Sequence, residues 1–591
     1  MNSLVRLIPF IRGYRSRIAA GLFAFFVARF FEISTYFLVA MGIDAINAMI
    51  NQDAEPAQFT ITQITIGVIL TVILRFLFVV YARRAIRRVG IAVSFDLRQV
   101  LYAAVQHQGS DFFSRIGVGD IMTRAIQDIA LIQRLIAGGL IQIVIMVYAP
   151  LFAVSAMVMK SPSLTLLIVP LLPVLFGYAW YASREMAITS RRVQERLSDL
   201  SAHTQENLSG IRTIQAQAQE DNEIRRFFGT NDAYATAFYD QARVNSLMSA
   251  WMPFFASVSQ LTIIMYGGYQ VLEGRMTVGD LVFFFACLNM LLQPIRMAGM
   301  FVTLVQRAAV AMTRLSEVFD ADPEIADRPS GTTPGMIRGE FELKHVTFAY
   351  PRTDERVVSD INLHIQPGES IGIVGRVGAG KSTLLKLFTR MVDTPRGMLF
   401  LDGHDICDYP LSQLRSQVAQ VLQDPFLFGE PLRNNISYDD PERELDLIWD
   451  SAEAAALRDT IREFPGQMET LVGERGVMLS GGQKQRATLA RGLIRDAPVL
   501  ILDDCFSSVD TETEEHILAR LKAMRADKTT ILVSHRVSTL RHADRIIVMD
   551  EGAIVEMGTH QSLLQQGGVY AELERIQTQG AEPGETELVP A

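Results

Sequence analysis

The densest chemistry in the sequence lies in Gly375-Arg376-Val377-Gly378-Ala379-Gly380-Lys381-Ser382, with Thr383 next in line. The spacing G-x-x-x-x-G-K-[ST] lets backbone amides curl around a β-phosphate, carries Lys381 to the β- and γ-oxygens and gives Ser382 a place on Mg²⁺. Two further segments fit the same chemistry. The apolar run Val499-Leu500-Ile501-Leu502 ends in Asp503-Asp504, which would bring a Mg²⁺-supporting carboxylate to the edge of a sheet. Leu479-Ser480-Gly481-Gly482-Gln483 opens a helical run to about Arg495. Packing alone gives no reason for its paired glycines, whereas a serine hydroxyl and glycine amides at a helix N-terminus make a second anion site.

These residues need elements to hold them. Ser370–Val374 reads as the strand entering the phosphate loop and Thr383–Arg390 as the helix leaving it, the strand–loop–helix context the motif requires. From Gly339 onward, short β-branched runs alternate with helical ones, which predicts a mainly parallel sheet. Residues 321–338, with Asp322-Pro323 and Arg328-Pro329-Ser330-Gly331-Thr332-Thr333-Pro334-Gly335, read as a linker. The chain therefore divides into residues 1–320, this linker, an α/β domain at 339–578 and a tail at 579–591, whose Pro, Gly and Glu content predicts disorder.

The first half is of another kind. In 591 residues, 55 Lys and Arg stand against 64 Asp and Glu, a net charge of −9, which argues against a nucleic-acid partner. Only 20% of residues are charged and 49% are hydrophobic, too apolar for an ordinary soluble protein. Apolar runs centre on Ile18–Ala48, Ile61–Tyr81, Ile136–Met159, Ser163–Tyr181, Leu247–Leu272 and Val278–Val305, each long enough to cross a hydrocarbon layer of about 30 Å. The first is too long for the core of a signal peptide. Arginines crowd the segments 83–134 and 184–243 and are sparse in 51–60, 160–161 and 273–277, so both termini are expected in the cytoplasm. Breaks at Asp111–Asp120 and Glu206–Ile211 mark turns in the two Arg-rich segments that would contact another domain. Cys287, Cys407 and Cys505 have no pairing or metal-ligand spacing and are expected as free thiols.

Phosphate loop, Leu479-Ser480-Gly481-Gly482-Gln483 and Asp503, in this order and fused to six membrane spans, resemble an ABC exporter half-transporter over essentially the whole chain. The resemblance implies an N-terminal all-α six-helix transmembrane domain of the type I exporter fold. It also implies a C-terminal α/β P-loop ATPase domain with a helical subdomain, using ATP and Mg²⁺. It further implies that Tyr350 stacks on adenine, that Gln423 contacts Mg²⁺ or water, and that Mg²⁺ is held by Ser382, Gln423 and Asp503. Gly473-Glu474-Arg475-Gly476 is similar to the exporter segment facing the coupling turns. Ser508 and Asp510 are similar to the loop crossing the dimer interface, and His535 to the histidine that holds the γ-phosphate. The breaks near Phe112–Asp120 and Glu206–Ile211 match the family's coupling helices.

One residue departs from the family pattern. The general base after the Mg²⁺ aspartate is usually glutamate, and here it is Asp504. Loss of one methylene draws the carboxylate back by roughly 1.5 Å, and a misplacement of ~1 Å lowers a rate by ~100-fold. The change resembles the degenerate-site subunit of two-gene bacterial exporters. In those, Gly375–Ser382, Asp503 and Asp504 would form the weak site, and Leu479–Gln483 would complete a competent one with a glutamate-bearing partner.

A homodimer with two slow sites, an ATP-gated channel and an importer on an exporter-like fold remain alternatives. A soluble ATPase of the DNA-repair or translation kind is incompatible with six spans. The expected setting is the bacterial inner membrane, the expected partners a second half-transporter and the lipid bilayer, and the cargo a small molecule, lipid or peptide. No peptidase or further substrate domain is expected before the first span. Arg29, Glu32 and Arg75 are costly in lipid and are expected to pair. Gln260, Asn289, Gln293, Arg296 and Gln306 are candidates for the translocation path.

Overall fold

The computed structural model describes residues 2–51, 59–327, 335–350, 353, 355–473 and 476–579. Within the expected linker, residues 328–334 lie outside this set, as do Glu474, Arg475 and the tail from Gly580. Two compact units result: residues 1–106 with 117–321, and residues 107–116 with 322–591.

Among the described residues, the first unit contains six helices long and apolar enough to cross a membrane: Arg15–Ile50, Ile61–Gln106, Val118–Lys160, Pro162–Ser209, Glu220–Leu272 and Val278–Phe319. Most run well beyond the ~20 residues a bilayer needs, because their polar ends extend the apolar centres. The sixth is the most enclosed, 59% of its apolar window being buried against 6% for the second. Its Phe283, Phe284, Cys287, Leu288 and Leu291 pack with Ala149, Ala153 and Met157 of the third helix and Leu164 and Ile168 of the fourth. Further along the second helix, Ala82, Ile86, Val89, Val93 and Leu97 are fully buried, a spacing of three and four that places them on one helical face. Gly90 lies within that stretch, where a Cβ would come 2.9 Å from the Cβ of Ala137. Three π-helical turns, at Arg124–Asp128, Leu135–Gly139 and Ile263–Gly267, interrupt the third and fifth spans.

Charges in the apolar region are paired. Glu32, 5% exposed, accepts from Arg29 of its own helix and from Arg75 Nη2 of the second helix at 2.6 Å, and Tyr36 Oη donates to it at 3.3 Å. The expected pairing therefore occurs, with one carboxylate serving two guanidinium groups. Glu32→Ala leaves Arg29, whose side chain is 11% exposed, without a counter-charge. Breaking a buried pair from one side costs about 3–5 kcal/mol, so a lowered thermal midpoint in detergent is expected. An unchanged midpoint would show that the cluster contributes nothing to stability. At the other end of the spans, Asp44 Oδ2 accepts from Thr277 Oγ1 and its Oδ1 from the Gly279 amide, both at 2.7 Å, fastening the capped start of the sixth helix to the first.

The second unit holds two sheets. The first joins β1 (Phe341–Ala349), β2 (Arg356–Ile365), β4 (Leu399–Leu401) and β5 (His404–Asp405) in the order β2-β1-β4-β5, antiparallel throughout. The other joins β3 (Ser370–Gly375), β6 (Val418–Val421), β7 (Val499–Asp503), β8 (Thr529–Val533), β9 (Arg545–Asp550) and β10 (Ala553–Gly558) in the order β10-β9-β3-β8-β7-β6. Every neighbouring pair in it except β9–β10 is parallel. The expectation of a mainly parallel arrangement thus holds for this sheet and not for the first. Six residues join β1 to β2, too few for the crossover a parallel pair requires.

Strand β7 shows how the larger sheet is buried on both faces. Val499 and Ile501 point into one core with Leu384, Leu387 and Phe388, while Leu500 and Leu502 point into the other with Leu489 and Leu493. A strand covered on both sides has no polar alternation, which is why it reads as a continuous apolar run. The helices from Leu432–Ile436 to Gly481–Leu493 form the flanking helical part.

The second unit also takes in the short helix Ser110–Arg115. Phe112 is 1% exposed, and its amide donates to Glu324 Oε1 at 2.6 Å, while the Asp111 amide donates to Oε2 at 3.4 Å. The second expected turn is helix Ile211–Ala216 in the first unit, where Leu208 and Ile211 are exposed.

Candidate functional site

Strands β3, β7 and β8 lie side by side and parallel, so their C-terminal ends open on one edge, where ligands bind in open α/β sheets. Three pieces of chain leave that edge: the phosphate loop after β3, Asp503-Asp504 at the end of β7, and Ser534-His535 after β8. Glycine is required in the first by close approach. A Cβ at Gly375 would strike the Met549 carbonyl oxygen, and one at Gly380 the Val357 carbonyl oxygen. Gly380 sits at φ +87° and starts helix Lys381–Phe388, whose first amides have no partner within the helix and face the loop. Gly378, also at φ +87°, meets nothing within 4 Å, and Val377 is 91% exposed.

Lys381 is buried, and its Nζ donates to the Gly375 and Arg376 carbonyls at 2.8 Å each. Burial lowers its pKa, against the pull of the Asp504 and Asp503 carboxylates. Burial also raises the pKa of Asp503, helped by the charge of Asp504 and opposed by Lys381. A site in which both signs of charge are disfavoured by burial suits a ligand carrying many oxygens together with a hard cation. Among the described residues no three His, Cys, Asp or Glu side chains form a metal cluster. Mg²⁺ characteristically takes one or two carboxylates and completes its shell with phosphate oxygens and water, so the buried Asp503 carboxylate and the Ser382 hydroxyl fit it.

Asp504 has a left-handed backbone, φ +44°, fixed by its amide donating to the Val533 carbonyl at 2.9 Å. Its Oδ1 accepts from the His535 amide at 3.4 Å, so two of the three pieces touch. Tyr350 Oη lies 3.2 Å from Thr383 Oγ1, and Lys386 Nζ, three residues further along the helix, stands over the Tyr350 ring at 5.9 Å. Gln423 is exposed just beyond β6. Cys505 is fully enclosed and burial pushes its thiol up, which makes it inert. All three cysteines are buried and none is in a disulfide, and the Cys407 thiol donates to the Thr394 carbonyl at 3.4 Å.

The Ser480–Gln483 segment forms a capping box: Ser480 Oγ accepts from the Gln483 amide at 3.3 Å and Gln483 Oε1 from the Ser480 amide at 2.9 Å. One expectation needs correction here, because Gly482 has a packing reason after all. A Cβ there would lie 2.7 Å from the Ser508 carbonyl oxygen. Gln485, three residues on and 3% exposed, donates to Ser507 Oγ at 2.7 Å and accepts from the Ser508 amide at 2.8 Å. This residue was not singled out in the sequence, since a glutamine inside a helix gives no sign of which loop it grips. Asp510 caps helix Thr511–Met524, accepting from the Thr513 amide at 2.9 Å, and that bond holds its carboxyl below the usual value. Within this chain, then, Ser480–Gln483 is joined to Ser507–Ser508, and Gly375–Ser382 to the surroundings of Asp503-Asp504. Among the translocation candidates, Asn289 Nδ2 donates to the Phe285 carbonyl at 3.1 Å, and the Arg296 side chain lies outside the described set.

A six-helix membrane unit and an α/β unit with a phosphate loop, buried strand-end carboxylates and a glycine-opened second helix define a membrane transport ATPase. The comparisons with known proteins agree. Residues 18–295 match the ABC transporter transmembrane region and residues 358–507 the ABC transporter family. YgaD of Bacillus subtilis (strain 168), provisionally named a multidrug export ATP-binding/permease protein, is 32% identical over 581 residues, covering 98% of this chain and 100% of that one. The ATP-dependent lipid A-core flippase of Syntrophus aciditrophicus (strain SB) is 31% identical over 585 residues, covering 99% and 96%. A solved bacterial Atm1-family ABC exporter with ATP bound aligns over 98% of this chain and 99% of its own at a TM-score of 0.69 and 25% identity. The chain belongs to the ABC transporter family, as an exporter half-transporter whose ATPase is coupled to transport.

Proposed function

We propose that this chain is one half of an asymmetric exporter that moves a hydrophobic or amphipathic substrate across the bacterial inner membrane, with both of its ends in the cytoplasm. The observation that carries the asymmetry is Asp504: a short carboxylate on a fixed left-handed backbone, in a chain whose Leu479–Gln483 segment is intact. The Arg-rich cytoplasmic segments support the orientation, and the multidrug and lipid names of the relatives support the class of cargo.

In this reading Gly375–Thr383 and Lys381 hold the β- and γ-phosphates, Tyr350 stacks on adenine, and His535 contacts the γ-phosphate. Asp504 orients water from too far back, so ATP is held more readily than it is cleaved. Mg²⁺ would be held by Ser382, Asp503 and Gln423 and, when bound, neutralises charge on the phosphate oxygens. Leu479–Gln483, with Ser508 and Asp510 behind it, completes the second site on a partner chain that has glutamate. Differential affinity for the closed pair drives the spans from inward- to outward-facing, through the turns at 110–115 and 211–216.

The test is to reconstitute this chain with a glutamate-bearing partner and compare ATP turnover. Asp504→Asn is expected to leave most of it, and Glu→Gln in the partner to remove it. Equal loss in both would refute the asymmetric reading in favour of two equivalent slow sites.

A further inference from the structure

The loop that carries His535 is held from a distant part of the chain. Gln577 lies near the end of the C-terminal helix Val569–Gln579. Its Nε2 donates to the His535 carbonyl at 2.6 Å and its Oε1 accepts from the Val537 amide at 2.9 Å. One side-chain amide thus supplies a donor and an acceptor to two backbone groups that flank Arg536. A glutamine amide offers both functions on one planar group. On the other side of the same loop, the His535 amide donates to Asp504 Oδ1 at 3.4 Å, so the histidine backbone is gripped at its N–H and at its C=O.

The helix that presents Gln577 is itself well anchored. The Glu556 carboxylate accepts from the Val569 amide at 2.5 Å and the Tyr570 amide at 3.1 Å, and Tyr570 is fully buried with its hydroxyl 2.8 Å from His560 Nδ1. A second tether reaches the phosphate loop: Glu572 Oε2 lies 3.6 Å from Arg376 Nη2. Arg536, between the two clamped residues, donates to the Ser507 and Val509 carbonyls at 3.2 Å each and to the buried Glu514 at 2.8 Å.

We propose that Gln577 is a positioning residue for ATP hydrolysis, acting through the backbone of His535, so that the docked C-terminal helix sets how well the histidine is aimed. The proposal rests on the assignment of His535 to the γ-phosphate.

The experiment uses the full chain in lipid nanodiscs, paired with a partner whose own glutamate is replaced by glutamine, so that kcat reads hydrolysis at the site formed by this chain's phosphate loop. Gln577→Ala is expected to lower kcat for ATP by about fivefold to tenfold, the effect of one or two lost hydrogen bonds, with KM for ATP changed by less than about twofold. Gln577→Glu keeps the acceptor and loses the donor, and should fall between the two. Hydrogen exchange at the Val537 amide reads the clamp without any turnover and should quicken in Gln577→Ala. In a His535→Ala background, Gln577→Ala should lower kcat no further. Faster exchange with an unchanged kcat would overturn the positioning role and leave the exporter reading intact. A further loss of kcat in the His535→Ala background would overturn action through the histidine. A His535→Ala chain that turns over ATP like the parent would overturn the γ-phosphate assignment itself, and the proposal with it.

Discussion

Lys381→Ala is expected to lower single-turnover ATP hydrolysis at the site of its own phosphate loop by about 10²–10³-fold, the effect of removing one preorganised charged donor from a reacting centre. ATP affinity should weaken by about 10–100-fold through loss of a charge-assisted hydrogen bond. Two effects of the substitution must be kept apart. The ammonium places a positive charge in the loop and ties the Gly375 and Arg376 carbonyls together, while its stem is buried. Lys381→Met keeps the buried stem and removes the charge together with its donated bonds, so the two variants should agree if the ammonium, and not the packing of its stem, acts on phosphate. Nucleotide affinity measured with a fluorescent ATP analogue checks this. Parental affinity in the methionine variant would contradict the assigned role of Lys381.

Asp504→Glu should work in the opposite direction and raise turnover at its own site by about 100-fold, as an advance of ~1 Å in a reacting group allows. Two opposing contributions decide the sign. A left-handed backbone costs a residue without a short polar side chain about 1–2 kcal/mol, and Asp504 sits at φ +44°. A 100-fold gain corresponds to about 2.7 kcal/mol, so the gain in reach outweighs the strain. The Asp504 amide keeps its bond to Val533 in either variant, which holds the start of the side chain in place. Single-turnover hydrolysis in the complex measures the effect directly. A turnover unchanged or lowered by the longer side chain would mean that reach is not what limits this site.

The parts legible in the sequence are those in which chemistry and local structure coincide. Gly375–Ser382 needs its glycines for backbone shape and its lysine for charge, and both requirements are written within eight consecutive residues. Asp503 ends a short β-branched and leucine-rich apolar run that reads as a strand covered on both faces. The six spans declare themselves because lipid demands apolar length. Contacts between distant segments were not legible. Gln485 on Ser508, Gln577 on His535 and Arg536 on Glu514 join residues of unremarkable type, and no period or spacing marks them. Gly482 was half legible: its place at a helix start was plain, but the Ser508 backbone pressed against it was not. The antiparallel sheet was hidden for a related reason, since alternation identifies a strand and says nothing of its neighbour's direction. Pairing of Glu32 with Arg29 and Arg75 followed from the expense of charge in lipid. That one carboxylate would serve both arginines did not.

The boundary between the two units is not a single cut in the chain, because the short helix holding Phe112 folds with the residues that begin at Asp322. A gene fragment starting at Asp322 would leave the Glu324 carboxylate without the Asp111 and Phe112 amides that it accepts from. It would also open to water a seat in which a phenylalanine is 1% exposed. Whoever expresses the engine by itself should supply residues 107–116 in trans as a peptide, and ask whether the severed piece binds them back.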